Sequence, residues 1–164
     1  AEHRPCDVPP DLHRWLRTRA ERRSIRVVPS LGSDDFPSRS AVQFSSAPFS
    51  VLEQSSRIGV RLSGPMIALP EEAMAIESEP TVTGGIQIAG DGQPIVLGCD
   101  RPTIGGYPMF ACVIDADLGV VAALRPRDKI WFEWITLRDA RRLAIEQRRQ
   151  LDAMLSSVGS TEAP

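Results

Sequence analysis

From Phe49 onward, short strand-like segments recur at close spacing, and turn residues bound most of them. Residues 58–62 and 85–88 alternate apolar and other side chains, as in strands with one buried face. Residues 95–97 and 110–114 are continuously apolar, which is typical of strands buried on both faces. Many short strands with few helices predict a mainly β fold, a β-barrel or sandwich with peripheral helices. Further strands are expected at residues 25–28, 50–53 and 129–135.

Three helices are expected around these strands: one near the N-terminus, one after Asp115 and a last one toward the C-terminus. Prolines and an aspartate at residues 9–11 predict a basic N-terminal helix that runs to Arg23. Asp115 is expected to cap a helix over residues 116–124. Residues 30–48 are rich in Ser, Pro and Asp and predict a loop with at most a short turn of helix.

The last helix has the clearest signals. Thr136 and Asp139 form a capping-box-like start, with Asp in place of the usual Glu or Gln. Arginines occupy the opposite faces, and the helix is expected to pack on a sheet, with a partner-binding helix as the alternative interpretation. The apolar positions at helical spacing are Leu137, Ala140, Ala144, Leu151 and Leu155.

Length and charge predict one main domain that is neither a nucleic-acid nor a membrane protein. The chain has 164 residues and a formal net charge of −2. Its longest apolar run, residues 109–114, is too short to cross a bilayer. Three cysteines, Cys6, Cys99 and Cys112, do not form a disulfide framework, so a reduced cytoplasm is the expected location. Ala1 in place of Met is expected of a fragment or a processed form.

Several reaction types are disfavoured by the residues present. The single lysine, Lys129, does not follow glycines, so the chain has no Walker-type phosphate loop, and it does not follow Met as a biotin-carrier lysine does. The two histidines, His3 and His13, lie near the N-terminus, which disfavours a Ser-His-Asp centre in the main body. His3 and Cys6 with His13 match no standard zinc spacing, and no metal site is predicted.

A polar, glycine-rich stretch at residues 91–108 is the main candidate site. Asp100 and Arg101 follow a predicted strand, where side chains more often carry chemistry than packing. Gly105 and Gly106 are expected to allow positive φ angles or a close backbone approach to a ligand. Tyr107 is the only tyrosine of the chain. The interpretation of Asp100 and Arg101 as an ion pair that stiffens a turn is about equally supported.

Arginine and glutamine side chains dominate the remaining candidates. The arginine fork matches the two oxygens of a carboxylate, and a glutamine amide can recognise an amide or a urea-like group. For Arg57 and Arg61, a surface charge that anchors a loop is the simpler interpretation. The candidate catalytic residues are Asp100, Arg101 and Tyr107. The candidate substrate-binding residues are Arg57, Arg61, Gln87, Gln93, Thr103, Gly105 and Gly106.

An ordered set of short motifs resembles a known family. The segment from Gln54 to Gly64, Gln-Ser-Ser-Arg-Ile-Gly-Val-Arg-Leu-Ser-Gly, is similar to its pattern Gln-Ser-Asp-Arg-Met-Gly-x-Arg-Leu-x-Gly. Together the motifs resemble the biotin-dependent carboxyltransferase-like family, which includes the C-type subunit of 5-oxoprolinase, allophanate hydrolase subunit 2, urea amidolyase-related proteins and a Kip-type antagonist. The other motifs lie at residues 78–80, 85–87, 91–96, 100–108, 116–118 and 124–126.

The resemblance implies a cyclophilin-like β-barrel and a cytoplasmic bacterial hydrolase complex. This chain would be its C-type component, with a homologous B-type (Kip-type inhibitor-like) component and a possible A-type component as partners. The complex would convert 5-oxoproline to glutamate with ATP, although this chain has no phosphate loop and no covalent cofactor is expected. Two alternatives are a non-catalytic regulatory module of the kinase-inhibitor antagonist type and a carboxyltransferase-type domain for urea or allophanate.

The sequence also departs from the family pattern. Ser56 stands where the family usually has Asp, and Pro102 where it usually has Gln. The family's N-terminal half is missing, so catalysis by this chain alone is not expected. The predicted organisation is an N-terminal extension over residues 1–24, a barrel domain over 25–142, and the rest of the last helix with a frayed tail over 143–164.

Overall fold

The computed structural model describes residues 10–70 and 78–159. His3, Cys6 and the predicted tail beyond residue 159 lie outside the described residues. The nine described strands are β1 Ser24–Pro29, β2 Phe49–Val51, β3 Gly59–Ser63, β4 Glu79–Pro80, β5 Gly85–Ile88, β6 Pro94–Leu97, β7 Ile104–Gly105, β8 Met109–Val113 and β9 Lys129–Trp134. The four described α-helices are α1 Pro10–Ala20, α2 Arg39–Ser46, α3 Leu118–Ala122 and α4 Leu137–Gly159.

Seven of these strands close into a barrel in the order β1-β8-β5-β6-β3-β2-β9. Neighbouring strands are antiparallel except β1 and β9, the first and last along the chain, which pair in parallel with Val27 opposite Trp134. Strands β4 and β7 form a separate two-stranded sheet. The prediction of a mainly β fold is confirmed, and closure of the sheet selects the barrel over the sandwich.

The barrel interior is filled by aliphatic side chains and by a group of aromatic rings. Phe44 of α2 stacks on Phe132 of β9 with ring centroids 4.2 Å apart, and it meets Phe110 of β8 edge-on at 5.3 Å. Helix α2 thus inserts its one large apolar side chain between two barrel strands. The prediction of a loop over residues 30–48 is therefore wrong at α2, because burial of Phe44 stabilises eight residues of helix there.

The segment before α3 also differs from its prediction. Residues Asp115–Asp117 form a 3-10 turn, and α3 covers only Leu118–Ala122. Asp115 makes no capping hydrogen bond, so its predicted role as a helix cap is wrong. Asp117 is instead fully buried, and it contacts arginine side chains in β1 and in the segment just before β1.

Helix α4 begins as predicted. The Asp139 N–H donates to Thr136 Oγ1 at 3.1 Å, and the Thr136 hydroxyl donates to Asp139 Oδ2 at 2.7 Å. The prediction of which α4 side chains pack against the rest of the molecule is only partly correct. Ala140 is buried, whereas Leu137 and Leu155 are more than half exposed, because α4 packs on the 3-10 turn and α1 rather than along a sheet.

The inner side of α4 contacts a small second apolar cluster. That cluster contains Ile114 and Ala116, and Leu143 of α4 packs against it. The indole N–H of Trp15 on α1 donates to Gln150 Oε1 at 3.2 Å. None of the described helices is long and apolar enough to cross a membrane.

Candidate functional site

The small β4–β7 sheet lies against the outer side of the barrel at Gln87 of β5. The Gln87 side chain is 6% exposed, and its Nε2 donates to the Tyr107 carbonyl at 2.9 Å. A Cβ added at Gly105 would lie 2.8 Å from Gln87 Nε2, so a side chain there would require Gln87 to shift. The Gly105 backbone thus lies close to the Gln87 side chain, and its predicted approach to a ligand stays a prediction. The predicted residues Gln87, Gly105 and Tyr107 therefore meet in one cluster.

Gly106 lacks the positive φ angle that was one of its two predicted alternatives. Its φ is not in the left-handed region, unlike that of Gly84 and Gly92. Among the described residues, an added Cβ there would meet only the Ser78 hydroxyl, at an ordinary 3.9 Å. The positive φ angle is therefore not found at Gly106, and its predicted approach to a ligand stays a prediction.

Arg101 joins the Gln87 cluster through Thr81. One guanidinium nitrogen, Nη2, donates to the Thr81 carbonyl at 3.3 Å. The Arg101 Nε is buried and has no hydrogen-bond partner among the described residues. Leaving a buried donor unsatisfied costs about 1–3 kcal/mol, so it is usually found where the group has another task. Arg101 thus carries a buried N–H donor that no described residue accepts.

Thr81 is a member of this cluster that the sequence analysis missed. Its hydroxyl donates to the Pro102 carbonyl, and its N–H donates to the Thr103 carbonyl at 2.9 Å. These bonds hold the segment before β5 against the segment that carries Arg101. They also bring the Thr103 backbone into the cluster. The signal that was available is weak: a threonine between Pro80 and the glycines at 84 and 85.

Asp100 is directed away from Arg101. Its carboxylate accepts a hydrogen bond from Arg57 Nη2 at 3.2 Å and forms an ion pair with Arg57 Nε at 2.8 Å. This hydrogen bond and the charge of Asp100 raise the pKa of the Arg57 guanidinium. The interpretation of Asp100 and Arg101 as an ion pair is therefore wrong. The Arg57–Asp100 pair is largely exposed, so its stabilising effect is small.

The backbone at Gly98 brings Arg57 and Asp100 together. The Asp100 N–H donates to the Arg57 carbonyl at 3.1 Å. A Cβ added at Gly98 would lie 2.0 Å from the Arg57 carbonyl oxygen, which no side chain permits. Cys99, between them, is exposed, and its sulfur lies 3.8 Å from Arg57 Nη2.

Arg61 shares the outer barrel face with Gln87. Both residues are in register with Ile95 of β6, one from each side. Directly paired residues point to the same face of a sheet, so the two side chains start roughly 10 Å apart, two strand spacings. Arg61 is exposed and reaches from β3 toward this face. The prediction that Arg61 contributes to the site is compatible with this placement.

Gln93 lies apart from the cluster. It precedes β6, whereas Asp100 and Arg101 follow that strand. Its Oε1 accepts from the Gly64 N–H at 2.8 Å, and its Nε2 donates to the Gly64 carbonyl at 3.4 Å. Both ends of the amide thus hold the β3 end in place. The structure does not bring Gln93 together with Gln87 and Arg101.

A buried ion pair elsewhere was also missed by the sequence analysis. Asp117 accepts from Arg26 Nη2 at 2.6 Å, from Arg26 Nε at 2.9 Å and from the Arg26 N–H at 2.8 Å. Arg22 adds a contact at 3.3 Å. Burial acts to raise the pKa of Asp117, but the hydrogen bonds and charges of Arg26 and Arg22 together lower it below its ordinary value. Asp117 therefore joins β1 to the 3-10 turn and has a structural role.

The described residues include no group of three or more His, Cys, Asp or Glu side chains that could hold a metal ion. Cys112 on β8 is half-buried, and burial, with the nearby charge of Asp115, raises the pKa of its thiol. A raised thiol pKa disfavours the reactive thiolate. The groups available for chemistry in the cluster are thus amide, guanidinium and hydroxyl groups.

Comparisons with known proteins agree with the motifs. The family model described as carboxyltransferase domain, subdomain A and B, matches residues 2–134. The C-type subunit of 5-oxoprolinase from Haemophilus influenzae is 34% identical over 128 residues, which are 78% of this chain and 41% of that protein. The Escherichia coli protein of the same name is 32% identical over 79% of this chain and 42% of its own length. The chain thus spans about two fifths of the length of these relatives.

Comparisons with solved structures agree with the family-model match. The urea amidolyase of K. lactis superposes with a TM-score of 0.73 and 30% identity, over 80% of this chain and 8% of that protein. The urea carboxylase of Kluyveromyces lactis superposes with a TM-score of 0.71 and 31% identity, over 80% of this chain and 12% of that one. The barrel fold, the ordered motifs and the family-model match over most of this chain lead to one conclusion: this chain belongs to the carboxyltransferase domain family, subdomain A and B.

Proposed function

We propose that this chain is the barrel part of a C-type component in a complex that converts 5-oxoproline to glutamate with ATP. The similarity to two proteins named as this component of 5-oxoprolinase, at 34% and 32% identity, carries the proposal. A homologous B-type component is the proposed first partner and an A-type component the second. The ATP site is assigned to a partner, since the single lysine of this chain follows Asp128 rather than glycines.

The chemistry of the Gln87 cluster supports this substrate class. 5-Oxoproline carries a lactam amide and a carboxylate on one small ring. The partly exposed Arg101 guanidinium donates to the lactam carbonyl oxygen and polarises it as negative charge develops there. Arg61, on the same outer face, holds the carboxylate through its guanidinium fork. Gln87 fixes the Tyr107 backbone and so shapes the wall of the site.

The test is a reconstitution with the Arg101→Ala variant. The chain is combined with B-type and A-type component proteins, and ATP-dependent release of glutamate from 5-oxoproline is measured. Arg101→Ala is expected to lower kcat/KM by roughly 100-fold or more, as removal of a donor to a developing oxyanion does. Arg39→Ala on α2, an exposed arginine outside the cluster, is the matched control and is expected to keep full activity. Absence of glutamate release by the unmodified complex would contradict the proposal.

A second candidate is a carboxyltransferase-type activity on urea or allophanate. The structural similarity to urea amidolyase, with a TM-score of 0.73, favours it. Urea presents the same amide groups to Gln87 and Arg101 but has no carboxylate for Arg61. Urea-dependent turnover that needs a carboxylated biotin carrier, with no glutamate formed from 5-oxoproline, selects this candidate over the first.

A further inference from the structure

Helix α4 carries an exposed face that the barrel does not use. The helix begins at Leu137, beyond the segment matched by the family model, which ends at residue 134. Ile145 is 55% exposed and Leu137 is 56% exposed. A shallow groove of about 670 Å³ runs along them, and it is lined by Arg138, Arg141, Arg142 and Arg149 as well.

Helical geometry explains why one helix has two such different sides. Positions 138, 142, 145 and 149 follow the spacing i, i+4, i+7 and i+11 and form one stripe. Ala140 lies on the opposite side and is buried against the second apolar cluster. The Trp15–Gln150 hydrogen bond holds that inner side to α1. Because the inner side is fixed in this way, the stripe faces outward on a helix that is anchored in place.

The stripe combines uncompensated positive charge with an apolar centre. Within the described part of the chain, Arg138, Arg141 and Arg149 form no salt bridge. Arg142 alone pairs with a carboxylate, that of Asp139 at 3.3 Å. Glu146 is the one acidic residue that lines the groove. The chain as a whole carries a charge of −2, so this positive face is local.

We propose that this face of α4 docks an acidic amphipathic helix of a partner protein. An apolar stripe of the partner would cover Ile145 and Leu137, and its flanking carboxylates would pair with the guanidinium groups around them. An exposed Ile at the centre of the face favours a protein over a nucleic acid, whose phosphates offer nothing apolar to cover it. This proposal does not depend on the identity of the substrate.

The test uses a fluorescently labelled synthetic helical peptide that carries a leucine stripe flanked by glutamates. Its binding to the whole chain is followed by fluorescence anisotropy at low and at physiological salt. A peptide of the same composition in scrambled order is the control for non-specific charge attraction. Three variants are compared with the unmodified chain: Arg141→Gln/Arg149→Gln, Ile145→Ser and Arg148→Gln. Arg148 lies on the same helix outside the groove and pairs with Asp152 at 3.0 Å.

We expect saturable binding that weakens roughly tenfold in the double arginine variant, through loss of two ion pairs. Ile145→Ser is expected to weaken it by at least about tenfold, through loss of apolar burial. Arg148→Gln should remain within about twofold, and the scrambled peptide should bind more weakly than the designed one. Equal binding to all variants, or no saturable binding, would overturn the proposal. Tighter binding of anionic vesicles or duplex RNA than of the peptide, through the same arginines, would overturn it as well.

Discussion

At the scale of single residues, Asp117 has the most demanding environment of the described part of the chain. It is fully buried, and Arg26 and Arg22 are its charged partners. A buried charge of this kind is tolerated only when its hydrogen-bonding capacity is filled, and three bonds from Arg26 do so. The carboxylate therefore fixes the position of β1 relative to the 3-10 turn before α3.

Asp117→Asn should lower the free energy of unfolding by about 3–5 kcal/mol, because it leaves Arg26 partly buried without its counter-charge. Urea denaturation followed by circular dichroism measures the change. Asp152→Asn, which breaks an exposed pair on α4, is the matched control and should lower it by about 0.5 kcal/mol or less. Similar midpoints for the two variants would show that the buried pair adds no stability.

The same group predicts how stability depends on pH. Asp117 has a folded-state pKa below its ordinary value of 3.8, so the folded chain binds fewer protons at this site than the unfolded chain does. Its stabilisation is complete above the ordinary pKa and is lost as the pH falls through the lower folded pKa. Unfolding free energies measured between roughly pH 2 and pH 6 should therefore fall less steeply in Asp117→Asn than in the unmodified chain. Parallel profiles would contradict the prediction.

Predictions about single residues fared better where the backbone conformation determines the contact than where the direction of a side chain determines it. Gly105 was predicted as a point of close backbone approach, and the Gln87 side chain does lie against it, although the approach to a ligand stays a prediction. The pairing of Asp100 with Arg57 could not be predicted, because it requires the register of β3 against β6 and the tight contact at Gly98. Adjacency of Asp100 and Arg101 in the sequence carries no information about where the two side chains point.

At the scale of elements, the start of α4 offers a direct test. Thr136→Ala removes the hydroxyl that accepts from the Asp139 N–H. The expected loss is about 1 kcal/mol of unfolding free energy, the usual effect of losing such a cap. Thr18→Ala on α1, whose hydroxyl donates only to the Arg14 carbonyl within its own helix, is the control. Equal effects of the two variants in thermal denaturation would contradict the capping role.

The seven barrel strands were predictable because their signals are local, whereas the two-residue strands β4 and β7 were not predicted. Alternation and flanking glycines mark β5 at 85–88 in the sequence, and those bounds are the ones observed. Helix α2 was not predictable in the same way, since its sequence is rich in serine and its stability depends on Phe44 meeting rings from β8 and β9. For α4 the sequence left open whether the helix packs on a sheet or binds a partner, because helical spacing identifies an apolar side but not which part of it finds a partner.

At the scale of the whole molecule, β9 is the strand that closes the barrel. It pairs with β2 on one side and with β1 on the other, and it supplies Ile130 and Phe132 to the core. A chain that ends at residue 128 would leave two strand edges unpaired and remove these side chains. We expect it to lack the cooperative thermal unfolding of the complete chain.

A chain that ends at residue 135 is the matched control. It keeps β9 and loses only α4, so we expect it to retain a cooperative transition at a lower temperature, with the second apolar cluster uncovered. Circular dichroism melting curves distinguish the two truncations. A cooperative transition in the shorter chain would show that the barrel does not depend on closure by β9.

The parallel pair of β1 and β9 also has a consequence for how the protein is made. The two strands are about one hundred residues apart along the chain, and β1 leaves the ribosome first. Until β9 has been synthesised, one edge of β1 has no neighbour, and Ile25 and Val27 lack the covering that Phe132 provides. The nascent chain thus carries an open, apolar strand edge from the synthesis of β1 until that of β9, which makes chaperone binding during translation an expected part of its biogenesis.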